Sequence, residues 1–231
     1  MKKKLVVLTG AGMSAESGIS TFRDADGLWE NYKVEEVATP EGFAANPALV
    51  LDFYNQRRRQ LLSVEPNAGH RGLAALEKDF EVHIITQNID NLHEQAGSSH
   101  VVHLHGELMK ACSVRDLNTT YDLSPDHPDI RLGDKDPHGD QLRPFIVWFG
   151  EAVPMIEPAI RLAENSDIFV VIGTSLNVYP AAGLLNYVRR GQPVYLIDPK
   201  EVKTYRNDVH FIRKGASEGV EELTQLLKAH A

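Results

Sequence analysis

The sequence predicts an α/β protein: a Rossmann-like, doubly wound parallel sheet carrying a small inserted lobe and a helical insertion. Three observations predict it. Apolar runs rich in Val and Ile recur at 4–8, 82–86, 101–104, 145–149, 168–172 and 194–197, hydrophobic at nearly every position. Such runs suit strands covered on both faces. Helix-like segments lie between many of them, the alternation of a parallel sheet. The first run, Leu5-Val6-Val7-Leu8, feeds directly into a glycine turn at Gly10 and Gly12.

The elements follow in chain order. Strand 4–8 enters the loop GAGMSAESGISTFRDADGLW at 10–29. A helical insertion covers 30–66, and Asn46-Pro47 is a cap followed by proline at the first position of a helix over 47–62. A helix over 68–79 carries Leu73, Leu76 and Phe80 at helical spacing. Further helices are expected at 156–165, 180–190 and 217–229. Residues 113–141 break the rhythm: they are polar, hold three prolines and many aspartates, and are too long for a usual connection. They mark a small lobe, bounded at 109–143. The large part is then 1–29, 67–108 and 144–231 of a single domain spanning 1–231.

Composition bounds the function. The chain has 231 residues, 42% hydrophobic and 24% charged, ordinary values for a globular protein. A net charge of −8 argues against nucleic acid as the main partner. The Met1-Lys2-Lys3-Lys4 start is followed by an apolar run too short for a signal peptide, and no stretch approaches a membrane span. A cytoplasmic, mainly monomeric protein is expected. A single cysteine, Cys112, excludes an intrachain disulfide and an all-cysteine zinc site.

Three clusters carry chemistry. Gly10-Ala11-Gly12-Met13-Ser14-Ala15 fits the G-x-G-x-x-A fingerprint of a pyrophosphate cradle, or a tight structural turn. The acidic residue that should end a second strand about 20 residues on has no strand to end, so an ordinary dehydrogenase fits poorly. Gln87-Asn88-Ile89-Asp90 follow the strand 82–86, where open α/β sheets bind ligands; an amide and a carboxylate there suit a carboxamide, or cap a helix. His103 and His105 share one face of the next strand. His103 reads as a hydrogen-bonded core residue, and His105, at the strand end beside Gly106, as a general base or a second core histidine.

Together these residues resemble the sirtuins, NAD-dependent protein lysine deacylases. The resemblance runs through Gly10-Ala11-Gly12-x-Ser14-x-x-Ser17-Gly18-Ile19-x-x-Phe22-Arg23, Thr86-Gln87-Asn88-Ile89-Asp90 and His105-Gly106. It continues in order through Trp148-Phe149-Gly150-Glu151, Gly173-Thr174-Ser175 and Tyr179-Pro180-Ala181-Ala182, covering nearly the whole chain.

The resemblance implies a mechanism. The acyl-lysine oxygen attacks C1′ of the nicotinamide ribose, nicotinamide leaves, and the acyl group passes to ADP-ribose, with NAD consumed as co-substrate. His105 would be the base, with Asn88 and Asp90 as catalytic partners holding ribose and carboxamide. Gly10, Ala11, Gly12 and Ser14 would cradle the pyrophosphate. Phe22 and Arg23 would lie on a lid over the ribose. Gly173, Thr174 and Ser175 would face phosphate and adenosine, Asp198 the adenine ribose, and Ala216 the adenine. Glu16, Thr21, Trp29, Gln87 and Ile89 complete the implied cofactor set. The acylated-lysine peptide would add as a strand between Val147, Trp148, Phe149, Gly150 and Glu151 on one side and Asn177, Val178 and Tyr179 on the other.

Tyr54 and Arg57 lie three apart, on one face of the helix 47–62. A phenol and a guanidinium converging on one point suit a carboxylate. They resemble the Tyr-x-x-Arg pair of sirtuins that remove succinyl, malonyl or glutaryl groups, and Ala38 matches the small residue that widens their acyl pocket. Desuccinylation is thus expected beside deacetylation. The chain departs from the family at the zinc lobe. Cys112 stands alone there, and His127 and His138 form no ligand pattern with the aspartates around them. No zinc is expected, with Tyr121, Leu123, Ile130 and Leu132 packing the lobe instead. The competing readings are a protein ADP-ribosyltransferase or NAD hydrolase, and a non-catalytic NAD sensor.

Overall fold

A computed structural model describes residues 2–19 and 32–229. The expected lid residues Phe22 and Arg23, together with Thr21 and Trp29, lie outside the described residues.

The first half runs β1 (Lys4–Thr9), α1 (Val34–Val37), α2 (Pro40–Ala45), α3 (Pro47–Leu61), α4 (Ala68–Leu76), β2 (Glu81–Thr86), α5 (Leu92–Gln95) and β3 (Val101–His103). Next come β4 (Gly106–Ser113), β5 (Thr120–Asp122), β6 (Leu142–Ile146), α6 (Ile156–Glu164) and β7 (Ile168–Ile172). A 3₁₀ helix, Ala181–Tyr187, leads to β8 (Val194–Ile197), β9 (Val209–Ile212) and α7 (Ala216–Ala229).

β3-β2-β1-β7-β8-β9 form one parallel sheet. Both faces are covered, which is why its central strands read as unbroken apolar runs. Leu5, Val7, Ile84 and Val170 pack with Leu73 and Leu76 of α4 and Val220, Leu223 and Leu227 of α7. Val6, Leu8, Phe169 and Val171 face the other way, onto Ala159 and Ala163 of α6 and Leu184 and Leu185 of the 3₁₀ helix. Strand order reverses at β1, flanked by β2 on one side and β7 on the other. A crevice therefore opens beyond the carboxyl ends of β1 and β7, where such sheets bind ligands.

The structure corrects several expectations. The run 145–149 is not a strand of the parallel sheet: β6 stops at Ile146 and pairs antiparallel with β4, in a second sheet ordered β5-β4-β6. Apolar continuity cannot tell a central parallel strand from a short lobe strand that is buried for other reasons. The chain turns sharply after His103, so β4 starts at Gly106, and β9 forms the sheet edge. The helix expected at 180–190 is the shorter 3₁₀ segment.

Cys112 is buried on β4, its thiol directed at the Pro144 carbonyl oxygen 3.8 Å away. Among the described residues no group of three or more His, Cys, Asp or Glu side chains is placed to hold a metal. Side-chain packing and hydrogen bonds hold the lobe. Ile130, Ala111 and Leu51 form a small core, with Tyr121 and Leu123 packed against it. Leu132, expected among them, is 56% exposed. It sits in a turn that Asp134 and Gln141 close with hydrogen bonds to Arg131 and Gly133.

The buried face of α3 supplies the main fastening. Asn55 exchanges two hydrogen bonds with the backbone of Ile130, and Arg58 donates from Nε to the Pro128 carbonyl oxygen at 2.7 Å and from Nη2 to Asn55 Oδ1 at 2.9 Å. Arg58 has no exposed surface, and burial pushes its pKa down to about 10. Arg58→Ala would remove both bonds, leave the Pro128 carbonyl oxygen without its donor and open a cavity. It is expected to cost on the order of 3 kcal/mol in urea unfolding, with the lobe loosening first under limited proteolysis.

Candidate active site

Thr9 and Thr86 are register partners in β1 and β2, and their hydroxyls bond at 2.9 Å. Just beyond them the two glycine loops touch. Gly10 N–H donates to the Ile172 carbonyl and Gly12 N–H to the Gly173 carbonyl. A Cβ on Gly12 would lie 2.7 Å from Gly173 Cα, and one on Gly10 2.7 Å from Thr174 Cβ. No larger residue fits, and the backbones close into the floor of the crevice. This is the close approach that the glycine fingerprint implies.

Asn88 and Asp90 stand above that floor, tied to it by Ser14. Asn88 donates both amide hydrogens, to the Gly10 carbonyl oxygen at 3.0 Å and to Ser14 Oγ at 3.1 Å. Its Oδ1 is thus the group left to accept from a ligand hydroxyl. Ser14 donates in turn to Asp90 Oδ2 at 2.9 Å, while Asp90 Oδ1 accepts from Leu92 N–H at 3.2 Å. Burial raises the Asp90 pKa, with the Ser14 and Leu92 bonds opposing. Ser14 is 1% exposed; its side chain serves the crevice by holding these two residues.

The two histidines differ in kind. His103 offers Nδ1 to the Asn88 carbonyl oxygen at 3.2 Å and Nε2 to Glu94 at 2.7 Å. Burial works against its charge, but the bond and charge of Glu94 prevail and its pKa rises. With an acceptor at each nitrogen, its protonated form is favoured and its part is structural. His105 makes one bond, from Nδ1 to the Gln87 carbonyl oxygen at 3.0 Å. A carbonyl can only accept, so Nδ1 carries the hydrogen and Nε2 keeps its lone pair. Burial lowers the His105 pKa, the Gln87 bond opposing. The ring is a neutral base at the mouth of the crevice.

The other expected cofactor residues surround this centre. Gln87 donates to Thr174 Oγ1 at 3.2 Å, joining the ends of β2 and β7. Ile89 accepts Leu108 N–H through its carbonyl, and Ala11 and Ser175 are half-buried beside the glycines. Asp198 is buried at the end of β8, accepting Lys200 N–H at 2.8 Å. Ala216 is buried at the start of α7, against Gly69. Glu16 accepts Ser217 N–H in the first turn of α7 at 3.1 Å, pinning the glycine loop to that helix.

The residues expected on the acyl side lie on α3 and in the segment after β6. Val147 N–H donates to the His105 carbonyl, and Phe149 N–H to that of Ala38. Trp148 N–H donates to Glu151, whose carboxylate also takes two bonds from Arg143, at 2.7 and 3.1 Å. The Glu151 side chain is consumed in shaping this loop. Gly150 turns the loop at φ +91°. Phe149 is 49% and Val178 39% exposed, with Asn177 beside them also exposed.

Below this segment, Trp148 Nε1–H donates to Tyr54 Oη at 3.0 Å in an apolar cluster that includes Ala38 and Phe53. Arg57 follows one turn on, half-buried, its charge felt by Tyr54 and by Asp90. Residues 10–180 match the Sir2 family. The chain belongs to the Sir2 family.

Two relatives named NAD-dependent protein deacylase agree over nearly the whole length. One from Bacteroides thetaiotaomicron is 69% identical, spanning 97% of this chain and 98% of its own. One from Helicobacter pylori is 52% identical, spanning 96% of each. Among solved structures, a Sir2 homologue in complex with ADP-ribose superposes with a TM-score of 0.90 at 40% identity, over 99% of this chain and 93% of its own. A Sir2 protein with a deacetylated peptide and 3′-O-acetyl ADP-ribose gives 0.80 at 30% identity, over 97% and 94%.

Sequence reasoning missed three supports of this Sir2 site. Arg143 holds Glu151, and its guanidinium lies 3.4 Å from the centre of the Trp148 ring. Asn67 caps α4 while donating to the Met13 carbonyl at 2.8 Å and to Ser17 at 3.1 Å. His93 reaches Thr9. Only Asn67, a capping residue before a helix, left a local trace in the sequence.

Proposed function

We propose that this protein is an NAD-dependent protein-lysine deacylase that transfers the acyl group to ADP-ribose and releases nicotinamide. We further propose that it accepts acyl groups ending in a carboxylate, succinyl and malonyl, as well as acetyl. The observation that carries the first reading is His105: a neutral imidazole fixed with Nε2 basic, next to the Asn88–Ser14–Asp90 network over a two-glycine floor. NAD supplies a ribose carbon bonded to a good leaving group. The chain's own residues do the rest. Asn88 Oδ1 and Asp90 orient ribose and carboxamide, the glycine floor admits the pyrophosphate, and His105 Nε2 removes a ribose hydroxyl proton. The relatives' shared name and the acyl-ADP-ribose complex of a family member support this assignment.

The partners are acylated-lysine segments of other proteins, bound over the Val147–Glu151 and Asn177–Val178 loops. No helix among the described residues is long and apolar enough to cross a membrane. We propose a monomeric, cytoplasmic enzyme, and the net charge of −8 argues against a nucleic-acid partner.

Product analysis tests the function. With NAD and acetylated or succinylated peptide, O-acyl-ADP-ribose and nicotinamide should appear in equal amounts with free lysine peptide. ADP-ribosylated protein would instead make it a transferase to protein, and free ADP-ribose without deacylation an NAD hydrolase.

A further inference from the structure

We propose that His70 and His93 share a buried hydrogen bond, from His70 Nε2–H to His93 Nδ1, and that this pair is a positioning element for Asn88. His70 lies on α4 and His93 on α5; neither has exposed surface. Each has one ring nitrogen bonded and one buried nitrogen without a partner: Nε2 of His70 and Nδ1 of His93. The ring centres are 4.8 Å apart, with 64° between the planes.

The bonds at the far ends settle which atom carries the hydrogen. His70 Nδ1 faces Asn67 N–H at 3.3 Å. A backbone amide only donates, so Nδ1 accepts and the neutral ring carries its hydrogen on Nε2. His93 Nε2 faces Thr9 Oγ1 at 3.1 Å, and Thr9 donates to Thr86 Oγ1. With the Thr9 hydrogen spent on Thr86, Nε2 of His93 is the donor and Nδ1 keeps a lone pair. The two orphaned atoms are therefore one donor and one acceptor. The opposite arrangement would bury two donors against each other, at a cost that native interiors avoid.

The spacing fits a direct bond. Two imidazoles joined by an N–H···N contact of about 3 Å have centres about 5 Å apart, whereas an intervening water needs about 7 Å. The centres at 4.8 Å lie within reach of that contact, and the broad histidine χ2 well lets the rings turn toward one another. Burial pushes His70 down to about 4 and His93 well below its ordinary value, so both rings are neutral near pH 7.

The bond completes a line across the floor of the crevice: Asn67 N–H to His70, His70 to His93, His93 to Thr9, Thr9 to Thr86. Thr86 Oγ1 then accepts Asn88 N–H at 3.0 Å. One end holds the glycine loop through Asn67 and Met13; the other fixes the backbone of the residue whose side chain meets the ribose. Neither histidine touches the reacting atoms. Their effect should fall on NAD binding, a consequence that rests on the deacylase reading, whereas the bond itself does not.

The test has two arms on the full chain. In the ¹⁵N-labelled protein at pH 7, both histidines should be protonated on Nε2, with scalar coupling between His70 Nε2 and His93 Nδ1. A proton on His93 Nδ1, or no coupling, overturns the bond. In steady-state kinetics His93→Phe should raise KM for NAD about tenfold with kcat within about twofold, the loss of one buried neutral hydrogen bond. His93→Gln, whose amide N–H can replace Nε2–H, should recover most of that rise. An unchanged KM in His93→Phe, or a glutamine variant no better than phenylalanine, overturns the positioning role. If His93→Phe does not fold, His93→Gln with a KM within about threefold of the parent supports the role, and a larger rise overturns it. If the parent protein consumes no NAD, the deacylase reading and the positioning role fall together, and the nitrogen spectrum still decides the bond.

Discussion

Replacing His105 with alanine should lower acyl transfer about 10²- to 10⁴-fold, the range for loss of a positioned general base. The fold should survive, because the side chain contributes one hydrogen bond, to the Gln87 carbonyl, and no core packing. The pH profile of the parent enzyme carries a second expectation. The base works as neutral imidazole, so activity is complete above its pKa and falls as the pH drops through it. Burial holds that pKa below the ordinary 6.5, so the acid limb of kcat/KM should lie below pH 6.5. His105→Ala should abolish that limb. An acid limb well above 6.5, or one that persists in the variant, would assign the base to another group. His103 is the internal control. It is two residues away but bonded at both nitrogens, so its replacement should act through the Asn88 loop and leave the limb in place.

That contrast also marks what could be read from sequence. Simple alternation puts His103 and His105 on one strand face and singles out His105 because it stands beside a glycine; in the structure β3 ends at His103 and His105 lies past the bend. The structure explains the difference through partners: Glu94 and the Asn88 carbonyl for one, the Gln87 carbonyl alone for the other. The central strands and the glycine floor were legible because two-sided burial and close backbone approach each demand particular residue types. The lobe was less so. Its residue types are dictated by contacts with α3, as where Asn55 and Arg58 grip the backbone at 128–130, and such contacts leave no period in the sequence. The run 145–149 misled for the same reason. Trp148 is buried by Tyr54 from a distant segment and by Arg143 of the preceding β6, and the apolar pattern records burial without recording what does the burying. Glu151, expected at the substrate, also meets Arg143, a partner eight residues away that the turn at Gly150 brings into reach.

Arg57→Ala should lower kcat/KM for a succinylated peptide about 10- to 150-fold, the worth of a charge-assisted hydrogen bond, and change that for the acetylated peptide less than about threefold. The argument starts at Tyr54. Its hydroxyl accepts from Trp148 Nε1–H, which leaves its own hydrogen to donate. Burial drives its pKa up to about 12, with Arg57 opposing, so the phenol remains a neutral donor at every working pH. Arg57, one turn on, loses solvation by burial, which lowers its pKa, with the Asp90 carboxylate opposing. A carboxylate arriving here meets a fixed O–H and a guanidinium already withdrawn from water, where charge pairs are worth more than at the surface. An acetyl group offers neither partner anything. Tyr54→Phe should reduce desuccinylation about tenfold and also orphan the Trp148 indole N–H, so a loss of thermal stability should accompany it. Arg57→Lys should recover only part of the lost rate, since an ammonium cannot match the planar fork. Equal losses on acetyl and succinyl peptides in Arg57→Ala would remove the acyl preference while leaving the deacylase assignment intact, because His105, Asn88 and Asp90 are untouched by the change.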